Sequence, residues 1–294
     1  MKTIKPISTF LLCLIASFAF AQDEEVIIKT NKVTTNIYML EGQGGNIGVF
    51  IGEDGVFVID DQFARLATKI ESAIKELSDK PITFLVNTHY HGDHVGGNEA
   101  MANRGTTIIS HDNVRKRLAE KPNRQGKMMP KKALPIITFN DKLSLHINGE
   151  HVLVFHLENA HTDGDAMLYF TESNVLHTGD NFFNERYPYI DIDAGGSVNG
   201  YIEAVKRALI VINEETKIIP GHGKLSDAKE YKVFLKMMKD LKQKVLTEIE
   251  KGKSEEEVTS DKSITKVYDD LGYGSGFINS EKIRRTFYKS LSSN

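Results

Sequence analysis

The sequence predicts an α/β fold, and three observations carry the prediction. Short β-branched or aromatic runs recur between clusters of turn residues, which is how strands read. Longer stretches with apolar residues on one helical face alternate with them. Polar loops holding His, Asp and Gly follow several strands, the position where α/β proteins keep their functional groups.

Taken in order, the first residues predict a signal peptide over 1–21. Lys2 and Lys5 make a basic start, Phe10 to Phe20 is apolar but too short to span a bilayer, and Ala19-Phe20-Ala21 is a cleavage pattern before Gln22. Polar Asp23-Glu24-Glu25 follows, so no stable membrane insertion is expected after cleavage, and the protein is expected to be periplasmic or secreted. Cys13, the single cysteine, follows Leu12 rather than a small residue, so it does not read as a lipoprotein site. Residues 22–294, about 273 of them, suit one domain with neither disulfide nor thiolate ligand. Losing both lysines moves the formal charge from -3 to about -5, which argues against nucleic acid as a partner and leaves a small molecule.

Val26 to Thr30, Val33 to Leu40, Asn46 to Ile51 and Val56 to Asp60 predict an opening antiparallel meander, with Gly42 to Asn46 either a mobile flap or a plain hairpin turn. Leu66, Ala67, Ile70, Ala73, Ile74 and Leu77 share one face of a helix over Ala64 to Leu77. It leads through Pro81 into the strand Ile82 to Val86. After Gly96-Gly97, which permits close backbone approach, come a short helix from Asn98 to Asn103, a strand at Thr106 to Ile109, and a helix over Asp112 to Glu120 with Asp112 a candidate N-cap. Lys121 to Pro135 is a long loop and reads as a cleft rim.

A second β block is predicted from Ile136 to Phe139, Leu143 to Ile147, Val152 to Leu157, Met167 to Phe170 and Asn174 to His177, with a hairpin turn at Asn148-Gly149. Helices over Val198 to Ile212 and Asp227 to Ile249 flank a short strand at Lys217 to Pro220. From about 280, a last helix with Ile283, Phe287 and Leu291 on one side could dock on the body.

Chemistry concentrates after Ile82 to Val86. Thr88-His89-Tyr90-His91-Gly92-Asp93-His94 places three imidazoles and one carboxylate within six residues. His at i and i+2 on extended backbone can close on one ion, while Asp93 and His94 reach from the following turn toward a second. Imidazole nitrogen and carboxylate oxygen suit zinc and its first-row neighbours. Three later loops after strands offer His161, Asp180 and His222. His111, His146, His151, His156 and His177 stand alone and read as structural or surface residues.

With these positions in hand, the chain resembles the metallo-β-lactamase superfamily of metal-dependent hydrolases. The resemblance runs in order through His89, His91, Asp93, His94, His161, Asp180 and His222. The run from Asn181-Phe182-Phe183 through Tyr187-Pro188 to Gly195-Gly196-Ser197 most resembles exported β-lactamase-like or cyclase-like members. It implies a four-layered αβ/βα sandwich of two facing mixed sheets, with the site along one edge. It implies that His89, His91 and His161 bind one ion, that Asp93, His94 and His222 bind another, and that Asp180 bridges them as in the glyoxalase II branch. Asp93 would also act in catalysis by orienting the nucleophile's proton. Secreted β-lactamases of this family carry Cys or Ser where Asp180 stands, and the cysteine type carries a substrate-binding lysine where Phe183 stands. Asp180 leans instead toward the thioesterase, lactonase and phosphodiester branches.

The expectation is an exported hydrolase with two zinc ions, iron or manganese being accepted by the same donors. A hydroxide bridging the metals would open a small cyclic amide or ester. A glyoxalase II-like thioesterase is the alternative within the class, and a non-catalytic metal-binding protein the alternative outside it. No Gly-x-Ser-x-Gly elbow supports a serine hydrolase.

Overall fold

Alternation along the strands explains why the chain folds into four layers. In the meander Val49, Val56 and Val58 face one way, and Phe50, Phe57 and Ile59 face the other, yet all are buried. A sheet apolar on both faces must be covered on both. The structure, a computed structural model describing residues 26–123 and 125–292, meets that demand with a helix layer outside and a second sheet inside. The signal peptide expected at 1–21 lies outside the described residues.

In the first sheet, β1 (Lys29–Lys32), β2 (Ile37–Glu41), β3 (Ile47–Gly52) and β4 (Gly55–Ile59) form the antiparallel meander. A 3-10 turn at Ala64–Leu66 and α1 (Ala67–Leu77) cross over to β5 (Ile82–Val86), which lies parallel to β4. The short helices α2 (Gly92–Val95) and α3 (Asn98–Asn103) precede β6 (Thr107–His111), and α4 (Asp112–Glu120) precedes β7 (Ile137–Phe139). Both strands continue the parallel half.

The second sheet holds β8 (Lys142–Ile147), β9 (Glu150–Leu157), β10 (Asp165–Phe170) and β11 (Val175–His177) as an antiparallel set. Helix α5 (Val198–Val211) crosses to β12 (Lys217–Ile219), parallel to β11, and the two-residue β13 (Ser226–Asp227) closes the edge. Then come α6 (Ala228–Glu250), α7 (Glu255–Ser260), α8 (Lys266–Asp269) and α9 (Ser280–Ser292).

Between the sheets, Phe50 meets Phe170 edge-on with ring centres 5.3 Å apart, amid Met39, Val86, Val154 and Leu168. Outside the first sheet α1 buries Ile70 and Ile74 on Val49, Val58 and Leu85. Outside the second, α5, α6 and α9 share one core, where Ile283, Phe287 and Leu291 dock as their spacing predicts. Among the described residues no helix is long and apolar enough to cross a membrane.

Several expectations change. Ile137–Phe139 joins the first sheet beside β6, not the second block, because the long loop carries the chain back to the start of β6, where Ile136 N donates to Ile108 O at 2.9 Å. The sheets therefore divide at Asn140-Asp141. His111, not Asp112, caps α4: its Nδ1 accepts from Asn113 N at 3.2 Å. The loop before β7 ends in a 3-10 turn at Lys131–Ala133, and Leu134 is buried against Val95, Val114 and Leu118. Asn148-Gly149 is a hairpin turn with φ of 53° and 76°, the positive pair that matches the twist of flanking strands.

Candidate metal centre

All seven predicted ligand residues converge at the edge where strand ends of both sheets meet. They form two groups, His89, His91, His161 and Asp180, then Asp93, His94 and His222, with ligand atoms of each group within 4.8 Å of one another. His89 and His91 come from the loop after β5 and Asp93 and His94 from the short α2 that follows it, His161 from the β9–β10 loop, Asp180 from a 3-10 turn after β11, and His222 from the loop after β12.

Asp180 belongs to both groups by distance. Its Oδ2 lies 3.7 Å from His89 Nε2 and 3.5 Å from His161 Nε2. Its Oδ1 lies 3.0 Å from His94 Nε2 and 3.4 Å from His222 Nε2. Asp93 Oδ2 faces His222 Nε2 at 3.5 Å and His94 Nε2 at 3.9 Å. Burial pushes the Asp180 carboxyl up, but the imidazoles of His94, His222 and His89 outweigh it and hold the group well below the usual carboxylate range.

The hydrogen bonds behind the rings decide which nitrogen of each is free. His161 Nδ1 lies 2.8 Å from Tyr189 O, and a carbonyl only accepts, so Nδ1 carries the proton and Nε2 keeps its lone pair. His94 Nδ1 donates to Asp60 Oδ2 at 2.8 Å, and His91 Nε2 donates to Asp191 Oδ2 at 2.9 Å. Thr88 Oγ1 spends its proton on Asp60 Oδ2 at 2.7 Å, so at 3.1 Å it accepts from His89 Nδ1. Each of these four rings thus turns a proton-free nitrogen inward. His91 Nδ1 and His161 Nε2 face one another at 2.9 Å. His89 Nε2, His94 Nε2 and Asp180 Oδ1 are buried with no well-formed hydrogen bond among the described residues. Converging lone pairs repel unless a cation lies between them, so this donor set fits divalent ions.

The buried rings respond to their surroundings in opposite directions. At His94 burial is outweighed by the carboxylates of Asp180, Asp60 and Asp93, which raise its proton affinity well above the ordinary value, whereas at His161 and His89 burial wins. His161 is pushed down to about 4 and His89 is lowered well below its ordinary value, desolvation being the main cause in each, with neighbouring imidazoles adding to it.

Sequence reasoning missed the residues behind the ligands. Asp60 Oδ1 accepts from Thr88 N at 2.8 Å while Oδ2 takes Thr88 Oγ1 and His94, so one carboxylate holds His94 directly and His89 through Thr88. It adopts φ of 61°, in the left-handed region, at the end of β4. Three polar residues, Asp60-Asp61-Gln62, follow an apolar strand there, which was the available signal. Asp191 also accepts from Tyr90 OH at 2.7 Å, and the bonds with His91 and Tyr90 outweigh burial to pull it down to about 2. Its partners lie 100 residues away in the chain, and no local pattern marks it. Asp165 Oδ2 accepts from His161 N at 2.6 Å and Thr162 N at 2.9 Å; burial raises its carboxyl to about 7.

The Gly42 to Asn46 segment is the hairpin connection between β2 and β3, and hydrogen bonds tie it to the site. Gly45 N donates to Asp93 O, Asn46 N to Gly221 O, and Gln62 Nε2 to Gly45 O. A Cβ on Gly45 would sit 2.0 Å from His94 Cε1, so this position must be glycine for the loop to floor the site. Phe183, where a lysine would stand in some relatives, stacks on His222 with ring centres 4.9 Å apart. The lone histidines stay outside both groups. His111 caps α4, and His177 Nδ1 accepts from Gly179 N at 3.2 Å.

Two facing sheets with such a donor cluster at their shared edge define the class of metal-dependent hydrolases. A family model described as the metallo-beta-lactamase superfamily matches residues 40–246, and the chain belongs to that superfamily. It is 27% identical over 177 residues to a hydroxyacylglutathione hydrolase of Pelagibacter ubique, covering 56% of this chain and 65% of that one, just under two thirds of its length. It is 23% identical over 220 residues to a type 2 metallo-beta-lactamase of Bacillus sp. strain 170, covering 69% and 82%. Among solved structures, a metallo-beta-lactamase from Pontibacter korlensis shares the fold with a TM-score of 0.63 at 17% identity, over 72% of this chain and 99% of that one.

Proposed function

We propose that the chain is an exported hydrolase that holds two zinc ions and cleaves a small cyclic amide or ester. The observation that carries the reading is the single Asp180 carboxylate set between two groups of inward-facing donors. His89, His91 and His161 would hold one ion and Asp93, His94 and His222 the other, with Asp180 shared. Divalent ions in such a pair polarise a carbonyl oxygen and lower the pKa of water from about 15.7 to around 7.

The chain's own residues supply the rest. Asp60, Asp191 and the Tyr189 carbonyl hold the rings in the tautomers that keep a lone pair inward. The Asp93 side chain, 28% exposed, would orient a proton on the attacking water. The buried His89, His161 and Asp180 exclude bulk water from the other side.

Thioester hydrolysis is the second reading, favoured by Asp180 and by the similarity to a hydroxyacylglutathione hydrolase. The basic, apolar and small-residue order of 1–21 supports export to a periplasm or beyond. Metal content by mass spectrometry, on a preparation assayed with a chromogenic β-lactam, a lactone and a thioester, tests the proposal. About two zinc per chain is expected, with turnover lost to a chelator and regained with zinc. A protein without stoichiometric metal, or full activity in His91→Ala, would sink it.

A further inference from the structure

The chain beyond residue 246, outside the span of the family model, returns to the metal centre between α8 and α9. Tyr189, whose carbonyl holds His161, has its ring 5.5 Å from that of His91 and 5.6 Å from that of His161. The Phe277 ring meets Tyr189 edge-on, 5.8 Å away at 86°. A row of rings thus runs from the ligands to the surface, and it ends on a phenylalanine that is 66% exposed.

That exposure does not come from a loose segment. Ile278 beside it is buried, and Tyr187 OH and Ser280 Oγ both donate to Asp269 Oδ1 at 2.6 Å, which ties the segment around it to α8. Lys282 Nζ donates to Phe277 O at 3.3 Å and lies 5.0 Å from the ring centre. An anchored aromatic ring held in water, one ring away from the candidate ligands, is positioned to meet a group projecting from a molecule bound there.

We infer that Tyr189 and Phe277 form a recognition subsite for an aromatic substituent on the molecule whose bond the metal centre cleaves. Aromatic rings prefer edge-to-face and offset contacts at these spacings, and Phe277, with Tyr189 edge-on and Lys282 over its ring, keeps most of its surface exposed for a further partner. The inference rests on the hydrolytic reading for its substrate and on the Tyr189–Phe277 geometry for its site.

Two thioesters with one thiol, phenylacetyl and acetyl, test it in the zinc-loaded full chain. Wild type is expected to prefer the phenylacetyl ester, and Phe277→Ala to lower that kcat/KM ratio roughly tenfold, with Phe277→Tyr keeping it. An unchanged ratio in Phe277→Ala overturns the subsite. Calorimetric binding of phenylacetate against acetate reads the same preference without turnover. A wild type that hydrolyses neither ester yet binds phenylacetate in a Phe277-dependent way refutes the thioester reading and keeps the subsite. A wild type that hydrolyses both without preference, and binds both acids alike, removes the subsite and keeps the hydrolase.

Discussion

Single residues behind the candidate ligands would set how well the site holds metal. Asp191 accepts from both His91 Nε2 and Tyr90 OH, so it chooses the ring nitrogen that His91 turns inward. Such outer partners are worth about 10–100-fold in metal affinity. Asp191→Ala is therefore expected to weaken binding at the first group by that factor, read by competition with a chromophoric chelator; an unchanged affinity would show that the carboxylate orients nothing. Gly45 acts by bulk. Its missing Cβ leaves room for His94, and Gly45→Ala must move that ring or the turn. We expect about 1–3 kcal/mol of lost stability together with loss of the second ion, measured by denaturant unfolding and metal analysis. A variant with both ions and wild-type stability would mean the loop yields freely.

At the scale of elements, the helices decide how firmly the strand-end loops are held. Helix α9 lies outside the matched family span, yet it puts Phe287 fully into the core shared by α5, α6 and the outer face of the second sheet. Removing a buried phenylalanine side chain costs about 3–5 kcal/mol. Phe287→Ala should therefore shift the whole cooperative denaturant transition. Two separate transitions would instead show that α9 unfolds apart from the body. On the other side, β4 ends in backbone that favours the left-handed region at Asp60 and Gln62, and the strain is repaid by the hydrogen bonds that Asp60 collects.

Across the whole molecule, the two sheets touch through a pair of histidines. His111 ends β6 of the first sheet, His156 lies on β9 of the second, and their rings stack 3.8 Å apart at 9°. Burial first, and then the mutual repulsion of two imidazolium ions, lowers the proton affinity of His111; burial does the same for His156. A histidine with a depressed folded value binds fewer protons folded than unfolded. Its contribution to stability is thus complete above the ordinary histidine value, about 6.5, and is lost as pH falls from there toward the folded value. Between about pH 7.5 and about pH 5.5, chelator-treated His156→Gln should lose less melting temperature than wild type. Parallel slopes in the two proteins would remove the stack as a cause.

What the sequence by itself determined was local: the strand and helix periods, the Asn148-Gly149 turn, and the dense His89 to His94 loop, each written within a few adjacent residues. The later candidate ligands His161, Asp180 and His222 were legible as polar residues in loops after strands, and the order of all seven supplied the family resemblance. Tertiary structure alone decided which sheet took Ile137–Phe139, because parallel pairing with β6 depends on where a long loop returns. It alone showed Asp60, Asp191 and the Tyr189 carbonyl behind the rings, since each bond joins segments that only packing brings together. It also showed Gly42 to Asn46 bonded to Asp93 and Gly221 at the site, contacts that no local pattern encodes. Periodicity and turn chemistry act over a few residues, whereas orientation of a metal ligand depends on partners about a hundred residues distant, and such pairs form only when the layers close.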